Sequence, residues 1–309
     1  MYSLYNKLKH IITFRLKRFR NIFLNSNFYY KIKLNYLLPA GLYDKEYLNA
    51  PLEEIWEHRI KDVIDSTDNK LIERHPDAGK VKNGKQTMHN GIVITLGGYY
   101  GEAITQMLHR NKGVHEPQEE YAFAEVLKKM RQCATMIELG SYWSFYSIWF
   151  NKMVPNAKNF LVEPENANML YGINNFKLNK VKGKFTKAFV GKEAGINNGI
   201  PIICVDDFVS DNKIEFIDIL HSDIQGFEYD MLLGASKTIK ENKIGYFFIS
   251  THGNKVHYEC IDFLKQHEFV IICSCDEFDT YSLDGLIVAK YKGYIGIDNL
   301  KIALKTKAL

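Results

Sequence analysis

No run in the 309 residues approaches the roughly 18 consecutive apolar residues that a membrane span needs. Short apolar stretches near the start, such as IITF, are broken by Lys or Arg, so neither spanning nor secretion is expected. Cysteine is sparse. Cys133, Cys204, Cys260, Cys273 and Cys275 are odd in number and scattered, with no paired CxxC spacing, which leaves no disulfide framework and fits a reduced, cytoplasmic setting. Acid is absent from residues 1–43, which hold eight Lys or Arg. The remaining chain therefore sets 32 basic against 36 acidic residues, and this near-neutral body argues against a nucleic-acid partner. What is present, 46% apolar and 25% charged residues, is the composition of an ordinary globular protein that buries its core without staples.

Residues 3–25 space their apolar side chains as an amphipathic helix among basic residues, which suits packing on the domain or a partner, or peripheral contact with a membrane surface. Three regions are expected: a basic segment 1–43, a mixed cap or substrate-side region 44–114 with turns at 76–80, 88–91 and 96–101, and a catalytic domain 115–309. Residues 119–130 read as a helix leading into the core, with Phe123, Val126, Leu127 and Met130 on one face. Apolar runs at 135–139, 158–162, 184–190, 216–222, 244–250, 268–274 and 286–289 are candidate strands, and helices are expected at 143–153, 166–177, 227–240 and 255–266. This alternation predicts an α/β, Rossmann-like fold: a seven-stranded, mostly parallel sheet with helices on both faces and a helical or mixed N-terminal extension. Only the polar segment CDEFDTYSLDG joins the last two runs, so the seventh strand is expected antiparallel to the sixth.

The run MIELGSYWSFYSIWF, residues 136–150, is a strand ending near an acid, then Gly140, then a helix, which is the geometry of a nucleotide-binding first turn. A dinucleotide needs further glycines so that backbone can approach its pyrophosphate. Here Tyr142 and Phe145 stand at those positions, so a diphosphate is disfavoured. S-adenosylmethionine carries adenine, ribose, a sulfonium and an amino group but no phosphate, and Glu138 near the turn suits its charge. Glu163, at the end of the next strand, is the expected acceptor for the ribose hydroxyls, unless it is a surface acid beside the turn residue Pro164. Further along, 216–235 delivers His221 and Asp223 to the same side of a strand, followed by Gly226 and Glu228, and 244–260 brings Thr251 and His252 to another strand end.

These segments resemble the FkbM family of S-adenosylmethionine-dependent methyltransferases. The matching motifs are Glu138-Leu139-Gly140, Glu163-Pro164, Val205-Asp206-Asp207 and Asp223-Ile224-Gln225-Gly226-Phe227-Glu228, within roughly 115–290, and HEPQEE (115–120) is similar to the segment that precedes the family's first strand. The resemblance implies a methyltransferase acting on a hydroxyl of a glycan, lipid-linked sugar or secondary metabolite, with the cofactor held by Glu116, Glu138, Gly140, Tyr142, Glu163 and Asp223. Two departures stand out. The family's Gly-Ala-Asn-x-Gly reads Gly140-Ser141-Tyr142-Trp143-Ser144 here, and Gln225 replaces the commoner Glu.

An acceptor hydroxyl must lose its proton for methyl transfer, and His252, Asp223 and His221 are the candidate bases. Asp206 and Asp207 suit helix capping or substrate positioning, Trp143 and Tyr99-Tyr100 suit core packing or stacking on a ligand, and no ligand spacing requires a metal. The rival expectations are a nucleotide-dependent oxidoreductase and a methyltransferase-fold scaffold that has lost catalysis.

Overall fold

The computed structural model describes residues 27–307; the amphipathic stretch 3–25 lies outside the described residues. Thirteen strands are described: β1 Val81–Lys82, β2 Lys85–Thr87, β3 Val93–Thr95, β4 Thr135–Leu139, β5 Lys158–Val162, β6 Lys184–Thr186, β7 Phe189–Val190, β8 Gly195–Asn197, β9 Ile200–Ile203, β10 Ile217–Ser222, β11 Ile244–Thr251, β12 Phe269–Cys275 and β13 Gly285–Tyr291. The α-helices are α1 Asn27–Ile32, α2 Asp44–Asn49, α3 Glu54–Asp65, α4 Gly101–Arg110, α5 Pro117–Leu127, α6 Phe145–Met153, α7 Asn166–Asn179, α8 Val205–Asp211, α9 Glu228–Leu233, α10 Ser236–Lys240 and α11 Asn254–Gln266.

The main sheet has seven strands in the order β12-β13-β11-β10-β4-β5-β6. Neighbours from β11 through β6 run parallel, while β13 is antiparallel to both β11 and β12. The expected antiparallel pair is thus present, and its last strand is inserted between β12 and β11. The chain passes from β4 outward to β5 and β6, then returns to β10 on the other side of β4. That reversal opens a crevice between the carboxyl ends of β4 and β10, where ligands of open α/β sheets bind.

Burial on both faces explains why the central strands are almost wholly apolar. Met136, Ile219, Phe248 and Val288 face α5, α6 and the N-terminal region, whereas Ile137, Leu220, Phe247 and Ile287 face α8 to α11. Residues 27–114 dock on the first of these faces. There β3 leaves an unpaired edge, which α7 closes: Asn175 accepts the Thr95 N–H at 2.8 Å, and Asn179 bridges the N–H and carbonyl of Val93 at 3.0 and 2.6 Å.

Two expected elements are divided. The run 184–190 forms β6 and then β7, which leaves the main sheet to join a small sheet ordered β7-β9-β8. The helix expected over 227–240 breaks into α9 and α10 around Gly234 and Ala235, because Asp206 accepts the first N–H groups of α10 and restarts it there. Among the described residues no helix is long and apolar enough to cross a membrane.

Candidate active site

A cavity of about 560 Å³ lies at the crevice, within the size range of small-molecule sites. Its floor is Gly140, Tyr142, Glu163 and Asp223, its far wall is Ala188–Glu193 with Asn197 and Ile202 of the small sheet, and Tyr99 and Tyr100 close the side toward the N-terminal region. Five carboxylates line it (Glu163, Glu165, Glu193, Asp223, Asp230) against one cation, Lys192, so the cavity favours a positively charged occupant.

Gly140 is obligatory at this turn. Its φ is +75°, and a Cβ there would lie 1.8 Å from the Asp223 carbonyl oxygen. The same approach lets the Asp223 N–H donate to Leu139 O at 2.9 Å, locking the end of β10 to the end of β4. Past Gly140 the loop makes two more left-handed steps without glycine, at Tyr142 (φ +36°) and Ser144 (φ +63°). Ser144 stands where the family's second glycine would be, and the backbone keeps the glycine conformation. Its hydroxyl faces Gly172 of α7, whose missing Cβ would come within 2.4 Å of it.

Glu163 is 4% exposed, at the end of β5. One carboxylate oxygen accepts the Tyr142 N–H at 3.0 Å, and the other accepts the Glu165 N–H at 2.8 Å. Burial raises its pKa, opposed by these hydrogen bonds. A carboxylate offers about four acceptor positions, so capacity remains for donors from a ligand.

Beside Asp223 lies an ionisable cluster. His252 Nδ1 is 2.8 Å from Glu228, and its Nε2 is 2.8 Å from the Gln225 amide, 3.3 Å from Asp284 and 3.5 Å from Asp223. Burial drives Asp223 up to about 7 and Asp284 to about 6, with His252 opposing both. For His252 burial works against the charged form, but the Glu228 hydrogen bond and the fields of Asp284 and Asp223 outweigh it and raise the imidazole to about 9. A neutral His252 donates Nδ1–H to Glu228 and accepts the amide N–H at Nε2, whereas an imidazolium requires the amide oxygen to face Nε2–H. Asp223 and His252 therefore exchange protons as a linked pair.

Gly140, Tyr142, Glu163 and Asp223 thus meet at one cavity, with His252 immediately behind Asp223. Three expected site residues do not join them. His221 is 3% exposed under α5, its Nε2 held by Glu119 at 2.7 Å, because its face of β10 points into the core one residue before the strand end. Glu138 is likewise buried and accepts the Ser147 N–H at the start of α6, so it serves the helix terminus and does not reach the cavity. Glu116 is paired with His115 at 3.1 Å and accepts the Tyr146 hydroxyl; it borders a small polar cleft with Asp284 and does not line the cavity. Trp143 is buried and stacks on Tyr99 at 4.5 Å, while Tyr100 stays half exposed at the cavity. Asp284, in the loop before β13, gave no sequence signal, since nothing local shows that this loop folds back onto His252.

Residues 185–271 match the family model of the methyltransferase FkbM domain. The class of domain that this segment matches is therefore that of the methyltransferases. That segment, which contains Asp206, Asp207 and the Asp223–Glu228 motif, is similar to the FkbM methyltransferase domain, in agreement with the resemblance; the Gly140 and Glu163 motifs lie before it. None of the curated proteins matches the chain in sequence. Similar solved structures include a putative rRNA-methylase from Clostridium thermocellum (9% identity, 58% of this chain and 97% of that one, TM-score 0.43). Another is a precorrin-6y C5,15-methyltransferase from Geobacter metallireducens GS-15 (11% identity, 57% and 87%, TM-score 0.40). A third is TrmK of M. capricolum in complex with S-adenosyl-homocysteine (12% identity, 56% and 69%, TM-score 0.38).

Proposed function

We propose that the protein transfers a methyl group from S-adenosylmethionine to a hydroxyl oxygen of a glycan, lipid-linked sugar or secondary metabolite. The observation that carries this reading is the buried Glu163 carboxylate, fixed by two backbone N–H groups at the floor of a cavity lined by five acids and one lysine. Ribose hydroxyls suit Glu163, and a cationic sulfonium and amino group suit the acidic walls. The donor supplies an electrophilic methyl group. Tyr142 lines the cavity at the position where a dinucleotide-binding turn needs a glycine, which weighs against an oxidoreductase using a nicotinamide dinucleotide.

The remaining task is to hold the acceptor in line and remove its proton. Asp223 lies on the cavity floor with a pKa raised by burial to about 7, so it is the group suited to receive that proton, and His252 behind it, held by Glu228, balances the resulting charge. In this reading the reaction runs in the cytoplasm, and the basic composition of residues 1–43 would suit peripheral contact with an anionic membrane.

Incubation with methyl-labelled donor and fractionated host glycans tests this. Glu163→Ala is expected to weaken donor binding at least about tenfold, the loss of about 1.5–3 kcal/mol from charge-assisted hydrogen bonds. Asp223→Asn and His252→Ala are expected to keep donor binding but turn over at least about a hundredfold more slowly. Full activity of Asp223→Asn would dismiss the base assignment, and unaltered donor binding by Glu163→Ala would dismiss the cavity. Donor binding by the wild type with no turnover on any fraction would favour the scaffold reading.

A further inference from the structure

Four arginines fall among the described residues, and three are spoken for. Arg131 makes a two-pronged pair with Asp218, Arg110 does the same with Glu57, and Arg74 donates to Asn69 and to the Ile72 carbonyl. Arg59 of α3 is the exception. It is 7% exposed, its Nε is buried without a partner, and no described carboxylate lies within ion-pair distance of its guanidinium. Its guanidinium lies over the Trp56 ring, 5.2 Å from the ring centre.

A buried cation with unmet donors is costly, because lost hydration is not replaced. Its position suggests why the cost is tolerated. Trp56 packs 6.1 Å from Tyr100, which lines the cavity, and the guanidinium lies within electrostatic reach of Tyr99, Tyr100, Glu116 and Asp284. The two carboxylates lend it a favourable field, but both are committed elsewhere, Glu116 to His115 and Tyr146, and Asp284 to His252. The planar fork of donors is left for a bidentate acid.

We propose that Arg59 anchors an acidic group, a carboxylate or phosphate, of a ligand that reaches past Tyr100 from the cavity. The proposal rests on the reading of that cavity as a methyl-transfer site. Two sources share this chemistry: an acidic acceptor, and the amino-acid carboxylate of the methyl donor.

Binding to the full chain is measured for two matched pairs of probes: S-adenosylmethionine against its decarboxylated analogue, and glucuronic acid against glucose. Wild type is expected to bind the acidic member of at least one pair at least tenfold more tightly, and Arg59→Met to abolish that preference, with Arg59→Lys in between. Preference in the first pair assigns the carboxylate to the donor, and preference in the second assigns it to the acceptor. The melting temperature of Arg59→Met is expected to stay level or rise, since an uncompensated buried charge is removed; a structural ion-pair partner would give a fall. No preference in either pair, a preference that survives in Arg59→Met, or a clear loss of its stability overturns the proposal. Donor binding without any preference sinks Arg59 and spares methyl transfer, whereas a glucuronic acid preference without donor binding does the reverse.

Discussion

At the scale of single residues, the first loop shows how one backbone path survives a change of side chains. Gly140 cannot be replaced, because the Asp223 carbonyl fills the place of its Cβ. Ser144 is another matter: it adopts φ +63° with a hydroxyl that is buried and unpartnered. A left-handed non-glycine residue costs about 1–2 kcal/mol, and a buried unsatisfied hydroxyl adds to that, while glycine costs about 0.5–1 kcal/mol in chain entropy. Ser144→Gly is therefore expected to stabilise the protein by roughly 1 kcal/mol in urea unfolding; a loss of stability would mean that the hydroxyl has a partner. Gln225, at φ +57°, is a departure of a different kind, placing an amide between Asp223 and His252 where a carboxylate would have added charge to an already acidic cluster. Glu163 was legible from its place at a strand end. His221 and Glu138 lie buried below the rim, because alternation assigns a side chain to a face of the sheet and says nothing of how far it lies from the strand end.

At the scale of elements, the helix starts and the small sheet hold the cavity wall in place. Asp206, in the first turn of α8, accepts the N–H groups of Lys237 and Thr238 and the Thr238 hydroxyl, so it caps α10 across a gap of about thirty residues. Asp206→Ala is expected to lower stability by about 1–2 kcal/mol with donor binding largely kept, and Asp206→Asn to recover most of the loss, as read by thermal melts. A collapse of donor binding in Asp206→Ala at unchanged stability would instead give the residue a ligand role. Strands β8 and β9 escaped notice in the sequence because they are short, and β8 is exposed throughout, leaving no apolar alternation to detect. The seven strands of the main sheet were legible because burial on two faces writes them as nearly continuous apolar runs.

At the scale of the whole molecule, the N-terminal region and the sheet are joined by a buried ionic network centred on α5. Glu120 lies 2.5 Å from His115 and 3.0 Å from His89, and accepts the backbone N–H groups of His115 and Glu116. Burial alone would raise Glu120, but the two imidazoles win and hold it well below the ordinary carboxylate value, so its contribution is present above about pH 4.5 and lost in acid. His115 is disfavoured by burial yet raised to about 10 by Glu116 and Glu120, so its contribution is full below about pH 6.5 and fades as pH climbs toward 10. Glu138 and Asp223, raised by burial to about 7, add a loss in the same direction, since their folded forms retain protons that the unfolded chain releases. Melting temperature is thus expected to peak between about pH 4.5 and 6.5 and to decline well before pH 9. A plateau extending through pH 9 would show that the network is not charged as described.

The sequence by itself determined the alternation of strands and helices, the turn at Gly140 and the acid at the end of β5, because apolar periodicity and a required glycine are local properties. Only the tertiary structure decided which charges meet. That Arg59 goes without a partner, that Asp284 returns to His252 and that Glu116 turns away from the cavity depend on contacts between segments tens to hundreds of residues apart, where depth and direction are set by packing and not by spacing along the chain.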